Sequence, residues 1–122
     1  MKILTQELRE QLIKNGREQA SVKGTSAERD FWPVVKLFHP AGAATWLLTE
    51  IEPDDPDIAW GLCDLGMGFP EFGTVSLAEL ESFVGFAGLH IERDKFFSAK
   101  APISRYVDAA QNAGYIVEKV LP

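Results

Sequence analysis

TWLLTEIEPDDPDIAWGLCDL, residues 45–65, consists of two apolar segments joined by the acidic turn PDDP. Both segments are rich in β-branched and aromatic residues and prolines bound the turn, a pattern typical of an antiparallel hairpin. Pairing Glu52 with Asp57 would sort the side chains onto two faces. One face would carry Leu47, Thr49, Ile51, Ile58, Trp60 and Leu62, and the other Trp46, Leu48, Glu50, Ala59, Gly61 and Cys63. Small residues on the second face would let a helix lie close to the sheet.

A first helix is predicted over residues 6–15, before the hairpin. Apolar residues recur there at helical spacing, Thr5 can cap the start, and Asn15 followed by Gly16 supplies a stop. The polar stretch 16–30 then reads as an exposed connection.

A short helix is predicted after the hairpin and a longer one near the end of the chain. SLAE has the spacing of a capping box in which Ser76 and Glu79 exchange hydrogen bonds, and this helix should end near Gly85. The last helix begins near Pro102 and stops at Gly114. Its apolar face carries Ile103, Tyr106, Val107 and Ala110.

Four further segments favour strands, and a fifth favours a turn. FWPVVKLFHP (31–40), FGTV (72–75), LHIERDKFF (89–97) and YIVEKV (115–120) are the strand candidates, and GMGFPEFG (66–73) contains a glycine-rich turn. In the third candidate, Leu89 and Ile91 are expected to face inward. Helix, then mostly strands, then helix indicates an α+β fold. We expect a single domain over 1–122, with a mainly antiparallel sheet of about four to six strands flanked by an N-terminal, a short central and a C-terminal helix.

Composition narrows the class of protein. The chain has 122 residues, enough for one domain with its own core, and 46% of them are hydrophobic. No apolar run reaches the roughly 18 residues of a membrane span, and the start lacks the apolar segment of a signal peptide. The single cysteine can form no internal disulfide, so we expect a cytoplasmic protein. We also expect a monomer or small homo-oligomer.

The excess negative charge is concentrated in one place. The net charge is −6, and five acids lie within EIEPDDPD: Glu50, Glu52, Asp54, Asp55 and Asp57. The other 13 acids nearly balance the 12 bases. We call these five residues the acidic edge. They would repel nucleic-acid phosphates and suit a protein partner with a basic surface; the alternative is a solvated turn.

Several chemistries have little support in the residue pattern. Cys63, His39 and His90 lie far apart without the paired spacing of a zinc site, and Cys63 in a strand suits an inert thiol. The glycines match neither phosphate-binding loop pattern. No metal and no cofactor are therefore expected.

One catalytic interpretation stays open, a carboxylate cluster formed by Asp64, Glu71 and Asp94 beside Arg93. Together with Glu50, such acids at strand ends could hold Mg²⁺ or act as general acid and base, so a small metal-dependent enzyme using Glu50, Asp64 and Glu71 is the alternative function. Acids at strand ends also form turns and ion pairs, which Arg93 next to Asp94 suggests.

VVKLF (34–38), ATWLLTEIEPDDPDIAWGLCDLGMGFPEFGTVSLAEL (44–80) and IERDKFF (91–97) resemble the domain of unknown function 2958. The resemblance extends from KILTQELREQLIKNG to DAAQNAG. This family is found on plasmids, integrative elements and phages, and it has no established catalytic residues to carry over. The resemblance implies a bacterial accessory protein of a mobile element that acts by binding, as an inhibitor of a host defence system of the anti-CRISPR or anti-restriction type. Its partner with a basic surface would then be a protein encoded by the host or by the element.

Overall fold

A computed structural model of the chain describes residues 3–121. In chain order the elements are α1 (Gln6–Ala20), β1 (Val35–Phe38), β2 (Thr45–Ile51), β3 (Ile58–Asp64), β4 (Glu71–Ser76), α2 (Leu77–Ser82), a 3-10 turn (Phe86–Gly88), β5 (Glu92–Arg93) and α3 (Ile103–Ala113). The strands form one antiparallel sheet in the order β4-β3-β2-β1-β5. The predicted α+β fold is confirmed, with five strands and three helices.

Each face of the sheet buries its own apolar core. Helices α1 and α2 cover one face, where Leu12 and Leu80 pack with Leu48 and Ala59 of the strands. Helix α3 covers the other face through Ile103, Tyr106 and Ala110, which pack on Leu47 and Leu62. The sheet is therefore the middle layer, and its two cores explain why the strands are apolar on both sides.

The hairpin of β2 and β3 has the predicted register only along part of its length. Trp46 pairs with Cys63 and Leu48 with Gly61, as predicted, but the register then shifts by one residue at Thr49. Beyond this bulge Ile51 joins the core beneath α1, on the face opposite to the predicted one. The predicted faces of Glu50 and Ile51 were wrong because one extra residue in a strand exchanges the faces of all that follow.

Helix α1 begins as predicted and ends later than predicted. Thr5 Oγ1 accepts a hydrogen bond from Leu8 N at 3.1 Å, which confirms the cap. The stop at Gly16 was wrong, since the helix continues to Ala20. Gly16 lies against β2, where an added Cβ would be 1.8 Å from Ile51 O. This glycine permits close approach of helix and strand, and the exposed connection begins only after Ala20.

Two other expectations were wrong in part. The predicted strand 89–97 contributes only Glu92 and Arg93 to the sheet, and His90 forms an isolated bridge with Val84; Leu89 is 37% exposed whereas Ile91 is buried. Residues 115–120 form no strand. They lie on the α3 side of the sheet, where Ile116 N donates to Asp64 Oδ2 (3.0 Å) and Lys36 Nζ donates to Glu118 Oε2 (2.8 Å). Side chains of β3 and β1, Asp64 and Lys36, thus anchor the segment where strand pairing was expected.

Candidate functional site

The acidic edge is not one surface in the structure, because Glu50 is buried. Its side chain is 6% exposed and accepts a hydrogen bond from Thr49 Oγ1 at 3.1 Å. Burial raises the pKa of this carboxyl, although the Thr49 bond and the charge of Lys23 act in the opposite direction. A buried acid with a raised pKa is unavailable to a partner's surface.

Glu52 and Asp57 are also engaged within the protein. Trp60 Nε1 donates to Glu52 Oε2 at 2.9 Å. Asp57 accepts from Ser76 Oγ at 2.5 Å and from Ala78 N at 2.8 Å, and these bonds, that of Ser76 first, lower the pKa of its carboxyl. Glu52, which follows β2, is thus bonded to β3, and Asp57, which precedes β3, is bonded to the N-terminal end of α2.

Asp54 and Asp55 are the members of the acidic edge that lie exposed at the tip of the turn. Asp55 Oδ1 accepts from Asp57 N at 3.2 Å, a bond within the turn itself. The surface that the five acids offer to a partner is thus smaller than the sequence indicated.

The carboxylate cluster is spread over the sheet. Glu71 lies on β4 and Arg93 on β5, which are the two opposite edges. Asp64 is buried and accepts from Gly66 N at 2.8 Å, and Asp94 pairs with Lys36 at 3.5 Å. Throughout residues 3–121, no three His, Cys, Asp or Glu side chains are grouped so that they could hold a metal ion.

The loop between β3 and β4 exposes three large apolar side chains. Leu65, Met67 and Phe69 are 63%, 74% and 80% exposed, and they alternate with Gly66 and Gly68, both at positive φ. Sequence reasoning treated this loop as a turn only. The signal was present in the alternation of large apolar residues with glycines, because glycines that adopt the left-handed conformation are typical of tight turns at the surface, where a large apolar side chain has little to pack against.

An apolar groove begins beside this loop. It consists of two neighbouring cavities of about 450 and 410 Å³ whose shared lining is Trp46, Leu65, Val75 and Glu79. The larger cavity extends to Phe83 and the buried residues His39, Leu80 and Ile91. Among the described residues that line the groove, Glu79 is the only acid or base other than His39 and Cys63.

Comparison with known proteins gives the chain a family. A family model described as "Protein of unknown function (DUF2958)" matches residues 3–117. The chain belongs to the DUF2958 family. No curated protein and no solved structure matches this DUF2958 chain.

Two side chains in the groove of the DUF2958 chain, Cys63 and His39, lie in environments that do not favour nucleophilic chemistry. Burial raises the pKa of the Cys63 thiol to about 11, so the thiol is protonated at neutral pH and a poor nucleophile. His39 Nε2 is 3.1 Å from Leu89 O, and its ring meets Phe83 edge-on, so the imidazole is held by structural contacts.

Within the described part of the DUF2958 chain, no helix is both long and apolar enough to cross a membrane.

Proposed function

We propose that this DUF2958 chain acts by binding another protein, as a cytoplasmic accessory protein of a bacterial mobile element that inhibits a host defence system. The anti-CRISPR or anti-restriction type of role and the mobile-element setting come from the resemblance to the family. The binding function has its own support in the geometry. The observation that carries it is the exposed loop of Leu65, Met67 and Phe69 at the mouth of the apolar groove.

Scattered apolar side chains are common on protein surfaces, but a group of them beside a groove is typical of a binding surface. The loop supplies a methionine and a phenylalanine, which are residue types enriched in protein interfaces. Leu65 belongs to both the loop and the groove lining, so the two features are continuous. A partner could bury the loop and fill the groove at once.

The charges around this surface indicate the chemistry of the partner. Glu79 lies on the groove and Glu71 at the end of the loop, and both are exposed. With a net charge of −6 on the chain, a partner with basic side chains around an apolar centre would associate faster than a neutral one. A nucleic acid would be repelled, because its phosphates have the same sign of charge.

Affinity capture from a bacterial host lysate, followed by mass spectrometry, tests the binding function. The double variant Met67→Ser/Phe69→Ser should lose the partner that the wild type enriches. Phe96→Ser is the matched control, because Phe96 is 96% exposed but follows β5 at the opposite edge of the sheet. Equal capture by all three proteins would overturn the assignment of the loop as the binding surface.

Inhibition of host defence has a separate readout. Phage or plasmid entry into cells with an active restriction or CRISPR system should rise when the chain is expressed, and the double variant should lose the effect. No change in any system tested would remove the inhibitor role while capture still reports on binding.

Calorimetric titration with Mg²⁺, Mn²⁺ and Zn²⁺ provides a check on the whole proposal. A micromolar site lost in Asp64→Asn would contradict a purely binding function.

A further inference from the structure

Strand β4 is an open edge of the sheet. It pairs with β3 without interruption, from Glu71 with Cys63 to Ser76 with Ile58, and it is last in the strand order. Within residues 3–121 no strand lies on its outer side. Proteins usually protect such edges with a proline, a lysine, a bulge or a covering segment. The sequence EFGTVS contains none of the three local devices.

The backbone groups that face outward can be assigned from one hydrogen bond. Leu77 N donates to Asp57 O at 2.8 Å, in the same register as the β3–β4 ladder. Hydrogen-bonded pairs alternate along an antiparallel ladder, so Gly73 and Val75 direct their N–H and C=O groups toward β3. Phe72 and Thr74 then direct theirs away from it. These outward groups are donors and acceptors already spaced for another strand.

The surroundings of β4 would accommodate the side chains of an added strand. Gly73 has no side chain, and no atom lies within 4 Å of the position its Cβ would take. Val75 faces the apolar groove on one side of the sheet. On the other side Phe72 stacks on Trp60 with ring centroids 6.0 Å apart. An added strand projects alternate residues to these two sides, which is how edge-binding domains read a peptide.

The charges favour a partner segment over a second copy of the chain. Glu71 is on β4 itself and Glu79 lies on the groove beside it. A second copy would bring the same acids, and a further net charge of −6, against this edge. Like charges across an interface oppose association, whereas lysine or arginine would be attracted.

The geometry points to the outer edge of β4 as the site that binds an extended, basic segment of the partner protein as a sixth strand. An apolar side chain of the segment lies in the groove, and a basic side chain lies near Glu79 or Glu71. This inference rests on the proposed protein-binding function and adds the mode of recognition. Main-chain hydrogen bonds to Phe72 and Thr74 supply affinity, and the groove and the acids supply selectivity.

Random 12-residue peptides displayed on phage, selected on the wild-type protein at low salt, provide the probe. Selected peptides should alternate aliphatic residues with lysine or arginine. N-Methylation of every second peptide residue should weaken binding at least about threefold per site, since each methyl group removes one hydrogen bond to β4. Methylation of the intervening residues should have little effect. Peptides bound through side chains alone would be equally sensitive at both sets of positions, which would overturn the inference, as would recovery of no binding peptide.

Variants of the protein test the same edge from the other side. Thr74→Pro removes an outward N–H and leaves the bonds to β3 in place, so it should fold and lose the peptide. Glu71→Gln/Glu79→Gln should weaken binding and reduce its salt dependence, whereas the matched pair Asp54→Asn/Asp55→Asn, at the tip of another turn, should not. Unchanged binding by Thr74→Pro would overturn the inference. If Thr74→Pro fails to fold, peptide N-methylation on the wild type decides.

Two further outcomes separate this inference from its alternatives. A wild-type dimer in sedimentation that Thr74→Pro converts to monomer would show that a second copy occupies β4, and would overturn the inference. A lysate partner that is lost by Met67→Ser/Phe69→Ser but kept by Thr74→Pro would leave the proposed function standing and remove the strand-addition mode.

Discussion

Ser76 donates its hydroxyl hydrogen to Asp57 across 2.5 Å, joining the turn after β2 to the start of α2. The same oxygen accepts from Glu79 N at 3.2 Å, which confirms the predicted N-cap. The free N–H of Ala78 is bound by Asp57, an acid 21 residues away in sequence. The helix start is therefore fixed by a tertiary contact as well as by a local one.

Replacing Ser76 with alanine should lower the free energy of unfolding by about 0.5–2 kcal/mol, the usual loss at an N-cap. The midpoint of chemical denaturation measures it. Ser82→Ala is the control, because Ser82 is exposed at the other end of α2 and donates only to Glu79 O. Equal losses in the two variants would show that the cap has no special role.

Asp57→Asn should destabilise the protein at neutral pH and have little effect in acid. Hydrogen bonds from Ser76 and Ala78 hold the pKa of Asp57 below its usual 3.8, so the stability it contributes is present above that pH. This contribution is lost as the pH falls through the folded-state pKa. Urea denaturation of the wild type and of Asp57→Asn, from neutral pH to below pH 3.8, tests the sign of the difference in stability. A difference that persists unchanged in acid would contradict it.

Glu50→Gln should have the opposite pH dependence. Burial raises the pKa of Glu50 above 4.5, so its contribution to stability is fully present below that value and is lost as the pH rises through the folded-state pKa. Glutamine avoids the cost of a buried charge and can still accept from Thr49. The variant should be more stable than the wild type at neutral pH, and the gain should disappear toward pH 4. A gain that is absent at neutral pH would count against this account.

The Cys63 thiol should react slowly while the protein is folded. With its pKa at about 11 rather than 9.0, the thiolate fraction at pH 8 falls by a factor on the order of a hundred. Alkylation by iodoacetamide, followed by mass spectrometry, should be slow in buffer and fast in denaturant. Comparable rates in the two conditions would mean that the thiol is not protected.

Gly16→Ala should be among the most damaging single changes. The new methyl group would meet the carbonyl oxygen of Ile51, and overpacking of this kind costs about 3 kcal/mol where backbone must move. Gly73→Ala is the matched control, because the space at that position is open. Thermal unfolding should show a large loss for the first variant and a small change for the second.

The features that the sequence predicted well depend on neighbours in the chain. Thr5, Ser76, Pro102 and Gly114 mark helix ends through local hydrogen bonds and backbone conformation, and each lies where expected. Gly16 misled because its locally preferred role, a helix stop, gives way to a contact with a strand 35 residues later. The bulge at Thr49 was not predicted for a similar reason, because it involves a contact with α1. Asn15 Nδ2 of that helix donates a hydrogen bond to Thr49 O at 2.9 Å.

The candidate site was harder to predict because adjacency in sequence is not adjacency in space. The acids of EIEPDDPD follow one another in sequence. In the structure, however, Glu50 is buried, Glu52 accepts a hydrogen bond from the Trp60 indole, and Asp57 accepts one from Ser76 at the start of α2. The groove unites residues from β1–β2, β3–β4 and α2, which no single stretch contains. Only the exposed loop at 65–70 could have been identified in advance.

The strand order has a consequence for how the protein opens and closes. β1 to β4 each pair with their neighbour in sequence, whereas β5 returns to β1 through only two residue pairs, Leu37 with Arg93 and Phe38 with Glu92. A ladder of two residue pairs has few contacts to hold it, so it should open more easily than the longer ladders of the sheet. Amide hydrogen exchange should therefore be faster in β5 than in β2 and β3. Each such opening would make β1 a short-lived edge of the sheet in place of β5, while the meander of β1 to β4 stays folded.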